Sequence, residues 1–316
     1  MIFIYILVFV ISCLLLTLSS SLLVGALLKI AKFLGWKEFV VGFLMMAVAT
    51  SLPNLFIGII SAIDKVPELS FGDVMGANIF DLSLVVAISV FISRMGLSAK
   101  SRIVQGSAIF TVAIAILPII LALDGIISRS DGLILISAFI FYIFWIFSKR
   151  ERFEKIYDGD GKISFKVFFK NFGIFLLSVL LMLVAAKGLV ESSLFFVKTF
   201  NIPIGLVGMF IIGIGSSLPE TFFTLQAAKK SQDWLLLGNL MGGIIIVATL
   251  VLGTVALIHP IEIINFSSYF IARIFLIIAA ISFLIFIRTQ EKIIKKEAVI
   301  LILIYLAFIA SVILFR

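Results

Sequence analysis

Residues 47–54 read AVATSLPN, and residues 213–220 read GIGSSLPE. Each stretch lies inside a long apolar run, and each sets a proline and adjacent hydroxyls where a helix should run unbroken. Pro53 has no N–H to offer the carbonyl of Ala49, and its ring pushes that carbonyl aside; Pro219 does the same to Gly215. In hydrocarbon a bare carbonyl is costly unless something meets it. A dehydrated cation would do so. The carbonyls around Ala47 and Gly213, with the hydroxyls of Thr50, Ser51, Ser216 and Ser217, form the all-oxygen set that hard cations such as Ca²⁺ and Na⁺ select.

The surrounding chain fits that setting. It has 316 residues, 63% hydrophobic and 13% charged, with 33 phenylalanines and a mean hydropathy of +1.31. A water-soluble domain of this composition would expose far too much apolar surface. Runs of about 20 apolar residues mark membrane-spanning helices. Ten are expected, near 3–28, 39–63, 70–93, 103–123, 131–148, 171–198, 203–228, 234–258, 266–288 and 297–315. The class is an all-α polytopic membrane protein. The stretch 1–28 lacks a basic start and is too long to be the core of a cleaved signal peptide. Cys13 is the one cysteine, so no disulfide framework or CxxC metal site exists.

With these spans, the connecting segments alternate between two sides. One side receives nineteen of the 25 basic residues, among them Lys29, Arg102, Lys149, Lys166, Lys230 and Lys296; the other receives only Lys65, Arg129, Lys198 and Arg316. Basic residues gather on the cytoplasmic side. Both termini are therefore expected outside and the central linker, 149–170, in the cytoplasm. The charge of +8 reports orientation in the bilayer and not a nucleic-acid partner. Within the linker, Asp158-Gly-Asp160-Gly looks like half of an EF-hand loop. The end ligands of such a loop would fall on Ile156 and Val167, so the stretch reads as a turn.

Setting Pro53 on Pro219 gives an offset of 166. At that offset Val41 meets Val207, Gly42 Gly208, Ser51 Ser217, Gly72 Gly238, Met75 Met241, Gly76 Gly242 and Ile79 Ile245, without a gap. Two five-helix units are expected, 1–148 and 171–316. Five is odd, so the second unit enters the membrane from the opposite side and the repeats are inverted. Secondary transporters are built this way, with the site at the midplane between interrupted helices. The second and seventh helices are expected to break at their prolines.

Carboxylates complete the set. Glu220 follows Pro219, and Asp81 lies within the third span in GDVMGANIFDLSLV; ionisable groups at such depth mark function. Asn54 and Asn78 add amide oxygens. Asp73 and Asn239, matched at the 166 offset, are read as caps at helix starts. Lys187 and Glu191 are spaced to neutralise one another. Arg273 reaches for an interface or a helix-end carbonyl. His259 stands at a helix end beside Pro260. No Ser–His pair or His-rich cluster supports an enzyme.

These residues resemble the calcium/cation antiporter superfamily, which includes the sodium/calcium exchangers. Its repeats carry a G-[ST]-S-x-P-[ED] motif, followed by a glycine-rich GN-x-x-G-S-N helix. ATSLPN with GDVMGANIFD, and GSSLPE with GNLMGGIIIV, stand in those places. The resemblance implies four central positions: Asn54 and Asp81 in the first repeat, Glu220 and Val247 in the second. Typical members carry acids where Asn54, Glu220 and Val247 stand and often an amide at Asp81. Here acid and amide are exchanged in the first repeat, the fourth group is aliphatic, and Ala77 and Gly243 replace small hydroxyl residues. Two carboxylates balance one Ca²⁺ or two Na⁺, and a close pair of acids can also exchange protons. Sodium sites beside Val247 should be the weakest.

The resemblance implies sodium/calcium antiport by alternating access, with the first and sixth spans as the moving pair and no cofactor. Two alternatives stand beside it. One is a proton- or sodium-coupled exchanger of another cation on the same fold. The other is an ion-binding membrane paralogue that does not transport. The expected partners are inorganic cations and the lipid bilayer, with the chain acting as a monomer.

Overall fold

The structure, a computed structural model, describes residues 1–34, 45–93, 95–148, 165–263 and 266–314. The polar stretch around Asp158 and Asp160 lies outside these residues. Among the described residues, ten helices are long and apolar enough to cross a membrane. They are α1 (Ile2–Phe33), α2 (Met46–Ile63), α3 (Pro67–Ile92), α4 (Arg102–Asp124), α5 (Arg129–Ser148), α6 (Phe165–Phe200), α7 (Ile204–Lys229), α8 (Asp233–Ile258), α9 (Tyr269–Thr289) and α10 (Lys295–Leu314). Helices that are apolar all round, with no polar stripe, belong in lipid.

Burial sorts them. In α3 and α8, 78% of the most apolar window is buried, against 22% in α1 and α5. The centre is therefore α3 and α8 with α2 and α7, which pack against one another in a ring of four. Helix α1 runs along α6 in the most extensive contact of any described pair. This pair meets the flanks of α2 and α7 through an apolar cluster of its own, including Leu16, Leu23, Ala49, Met182, Leu189 and Ile212.

The two-fold relation shows in the backbone. Left-handed residues end α2 at Lys65 (φ 62°) and α7 at Ser231 (φ 54°), 166 positions apart. Gly125 (φ 91°) and Glu291 (φ 49°) repeat the correspondence. Short strands β1 (Leu97–Ser98), β2 (Ile126–Ile127), β3 (Ile261–Glu262) and β4 (Lys292–Ile293) pair antiparallel as β1 with β4 and β2 with β3. The α3–α4 loop of one unit thus clips the α9–α10 loop of the other, while the α4–α5 and α8–α9 loops clip at the opposite end. Inverted repeats require this exchange.

One expectation is corrected. Neither α2 nor α7 is interrupted at its proline: helix continues from Met46 to Ile63 through Pro53, and from Gly213 to Lys229 through Pro219. The distortion lies elsewhere. Helix α7 widens to a π-helix at Val207–Ile212, ahead of Gly213. Helices α3 and α8 do the same at Asp81–Val85 and Val247–Val251, again 166 apart. A π-helical turn of this kind re-aims the following side chains while the helix runs on unbroken, and such turns gather at functional sites.

Glycine brings two of these helices into backbone contact. A Cβ at Gly72 would lie 2.5 Å from the Gly205 carbonyl oxygen, and one at Gly76 would run into the Met209 backbone. Helix α3 is thereby seated directly on the π-helical turn of α7, as small residues allow in lipid.

Candidate functional site

The four central helices meet in one polar layer. Thr50, Ser51 and Asn54 of α2, Asp73, Asn78 and Asp81 of α3, Ser216, Ser217 and Glu220 of α7, and Asn239 of α8 are all no more than 3% exposed. Four-residue spacing explains the convergence. Thr50 and Asn54 stack on one face of α2, Ser216 and Glu220 on one face of α7. On α3, Asp73, Ala77 and Asp81 form a ladder, and on α8 Asn239, Gly243 and Val247 form its mate.

Two hydroxyls link the repeats in equivalent ways. Ser216 Oγ donates to Asp73 Oδ1 at 2.7 Å, and Thr50 Oγ1 approaches Asn239 Oδ1 at 3.2 Å. The same hydroxyls lie near the carbonyls one turn back: Thr50 Oγ1 is 3.1 Å from Met46 O and 3.3 Å from Ala47 O, and Ser216 Oγ is 3.3 Å from Gly213 O. Ala47 and Gly213 therefore occupy equivalent places, as their matched positions imply. Asn54 Nδ2 donates to Ser216 Oγ at 3.0 Å and reaches Asp73 Oδ2 at 3.4 Å.

The carboxylates form a sequence. Glu220 is within charge–charge range of Asp81, and Asp81 of Asp73. Glu220 lies on Gly243, where a Cβ would overlap Oε1 and stand 2.8 Å from Oε2. Several polar atoms here meet no protein partner: Ser51 Oγ, both amide atoms of Asn78, Asp81 Oδ1, Glu220 Oε1 and Asn239 Nδ2. Buried orphans are rare and costly. Their concentration in one layer, most of them oxygens, gives it the chemistry of a cation site. Among the described residues, no three His, Cys, Asp or Glu side chains close around one point as a ready metal cluster. The acids are strung across the layer.

Of the sequence-derived residues, the structure joins Asn54 with Ser216 directly and sets Asp81 within electrostatic range of Glu220. Thr50 is tied to the second repeat, and Ser51, Ser217 and Asn78 are buried on the same helices. Val247 is 3% exposed and opens the π-helical turn equivalent to the one that Asp81 opens. Asp73 and Asn239 are corrected from helix caps to central members. Asp73 stands half-way along the stretch Pro67–Phe80, and its carboxylate holds side chains of α2 and α7. The four-residue ladders carried the signal.

Outside the layer, Lys187 Nζ reaches Asp64 at 3.3 Å as well as Glu191 at 3.6 Å, joining α6 to the end of α2. Arg273 Nη2 donates to the Ala122 carbonyl at 2.7 Å, as a helix-end contact requires.

Comparison with known proteins agrees with this architecture. The family model described as sodium/calcium exchanger protein matches residues 4–148 and 170–314. The chain is 27% identical to the sodium/calcium exchanger MaX1 of Methanosarcina acetivorans, over 92% of this chain and 93% of that one. It is 23% identical to the inner membrane protein YrbG of Escherichia coli, over 80% of each. A solved structure of the sodium-calcium exchanger NCX_Mj superposes with a TM-score of 0.70 at 23% identity, covering 98% of this chain and 99% of that one. Ten membrane-crossing helices in two inverted repeats, a buried carboxylate layer between them and a family match over both halves lead to one conclusion: this chain is a membrane cation antiporter, not an enzyme, and belongs to the sodium/calcium exchanger family.

Proposed function

We propose that the chain exchanges Ca²⁺ for Na⁺ by alternating access, with the cation held between Asp81, Glu220 and the oxygens of Thr50, Ser51, Asn54, Asn78, Ser216 and Ser217. The observation that carries this reading is the pair Asp81 Oδ1 and Glu220 Oε1, buried, without protein partners and close enough to interact. Among the described residues the buried base is Arg273, which serves the Ala122 carbonyl at a helix end. Carboxylates at membrane depth need a counter-charge, and a transported cation supplies it.

The route also has support. A cavity of about 70 Å³ between α1, α2 and α7 is lined by Thr17, Ser20, Ser21, Thr50 and Gln226 and by the apolar Val24, Pro219, Phe222 and Phe223. Through Thr50 the cavity touches the polar layer. Helix α1 bounds it, and the α1–α6 pair meets the central helices through apolar side chains, a surface suited to sliding. The α1–α6 pair moves against the central helices, the linker 149–170 is cytoplasmic, both termini are outside, and the monomer suffices.

A second reading, exchange of a cation for protons, draws on the same neighbouring carboxylates and on the aliphatic Val247. Proteoliposomes with Na⁺, H⁺ and Ca²⁺ gradients imposed separately decide between them. Sodium-driven Ca²⁺ uptake is expected. Uptake driven only by a proton gradient selects the second reading, and Ca²⁺ binding without flux selects a non-transporting protein.

A further inference from the structure

We propose that Asp73 is a positioning residue of the cation site, carrying on α3 the negative charge that the second repeat carries on α7 as Glu220. The inference rests on the antiporter reading and adds a third acid to it. At the 166 offset, Asn54 corresponds to Glu220 and Asp73 to Asn239. The second repeat thus places the acid on the proline helix and the amide on the glycine-rich helix. The first repeat reverses them.

The geometry gives the exchange a function. Asn54 Nδ2 donates to Ser216 Oγ at 3.0 Å, and Ser216 Oγ donates to Asp73 Oδ1 at 2.7 Å. Ionised Asp73 only accepts. It therefore fixes the direction of the whole chain: the Ser216 proton and the Asn54 amide protons turn toward Asp73, and Asn54 Oδ1 turns away from it. Oxygens freed in this way can face a cation. Asp73 is also fully buried and within charge range of Asp81. In a medium of low polarity its charge reaches a divalent ion without direct contact.

Size completes the argument. Glu220 rests on Gly243, where a Cβ would overlap its carboxylate. The first-repeat counterpart of Gly243 is Ala77. The first repeat thus combines a methyl at this position with the shorter Asn54 and an acid at Asp73, and the second combines a glycine with Glu220 and an amide at Asn239.

The test uses the purified full chain, with Ca²⁺ and Na⁺ binding measured by titration calorimetry and folding by monodispersity and melting temperature. Asp73→Asn creates the pairing that the second repeat already has and keeps one oxygen for Ser216. It should stay folded, while Ca²⁺ affinity falls about tenfold or more and Na⁺ affinity falls less, since the divalent ion feels a lost charge twice as strongly. The triple variant Asn54→Glu/Asp73→Asn/Ala77→Gly, which gives the first repeat the second repeat's arrangement, should recover Ca²⁺ affinity to within about threefold. Glu220→Gln separates this inference from the reading beneath it. Lost binding in Glu220→Gln with unchanged binding in Asp73→Asn overturns the role of Asp73 alone; unchanged binding in both removes the antiporter site as well. If Asp73→Asn does not fold, the triple variant decides, and its failure to fold or to bind Ca²⁺ overturns the inference.

Discussion

Gly243→Ala places one methyl group against the carboxylate of Glu220. The new Cβ would overlap Oε1 and stand 2.8 Å from Cδ and Oε2, where ordinary contact begins at 3.4 Å. The carboxylate must withdraw by roughly 0.6 Å or more, a shift that overpacking and an off-rotamer side chain make worth about 1–3 kcal/mol. The end of a flexible side chain can make that move, so the fold should survive and the cost should fall on ion binding. At about 1.4 kcal/mol per factor of ten, Ca²⁺ affinity should drop roughly 5- to 150-fold. Gly76→Ala is the contrast. Its Cβ meets the backbone of Met209, which cannot swing aside, and the loss should fall on folding. Sodium-driven Ca²⁺ uptake against external Ca²⁺, alongside melting of both variants in detergent, separates the two effects. Wild-type Ca²⁺ affinity in Gly243→Ala would show that Glu220 does not hold the ion where the structure sets it.

Glu220→Gln should eliminate Ca²⁺ uptake while leaving a folded, monodisperse protein; persistent uptake would place the divalent site elsewhere. Val247→Asp, at the counterpart of Asp81, should raise Ca²⁺ affinity relative to Na⁺ in flux assays. Reduced yield with no gain would mean that the new charge meets no cavity and costs about 2.5–3.5 kcal/mol at this depth. Arg273→Met removes a charged hydrogen bond to the Ala122 carbonyl and should cost about 1.5–3 kcal/mol of stability. Its melting temperature should fall while Ca²⁺ affinity stays constant, and an affinity change would tie that helix end to the site.

Much of this protein is set by local chemistry that the sequence displays. Ten spans follow from apolar length, and the inverted repeat from Pro53 on Pro219 and an odd number of spans between. Glu220 and Asp81 stand out because ionisable groups are costly in lipid. The role of Asp73 was hidden for a physical reason. Whether an aspartate caps a helix or is held at its centre depends on what faces it, and Ser216 is 143 positions away along the chain. The prolines misled in a similar way. Proline chemistry dictates a lost hydrogen bond, yet the helix runs on through both prolines, and α7 widens instead at Val207–Ile212, against the glycines of α3. The pairing of Glu220 with Gly243 is likewise a matter of volume shared between helices. Composition and spacing determine which groups enter the membrane; packing between the repeats determines which of them meet.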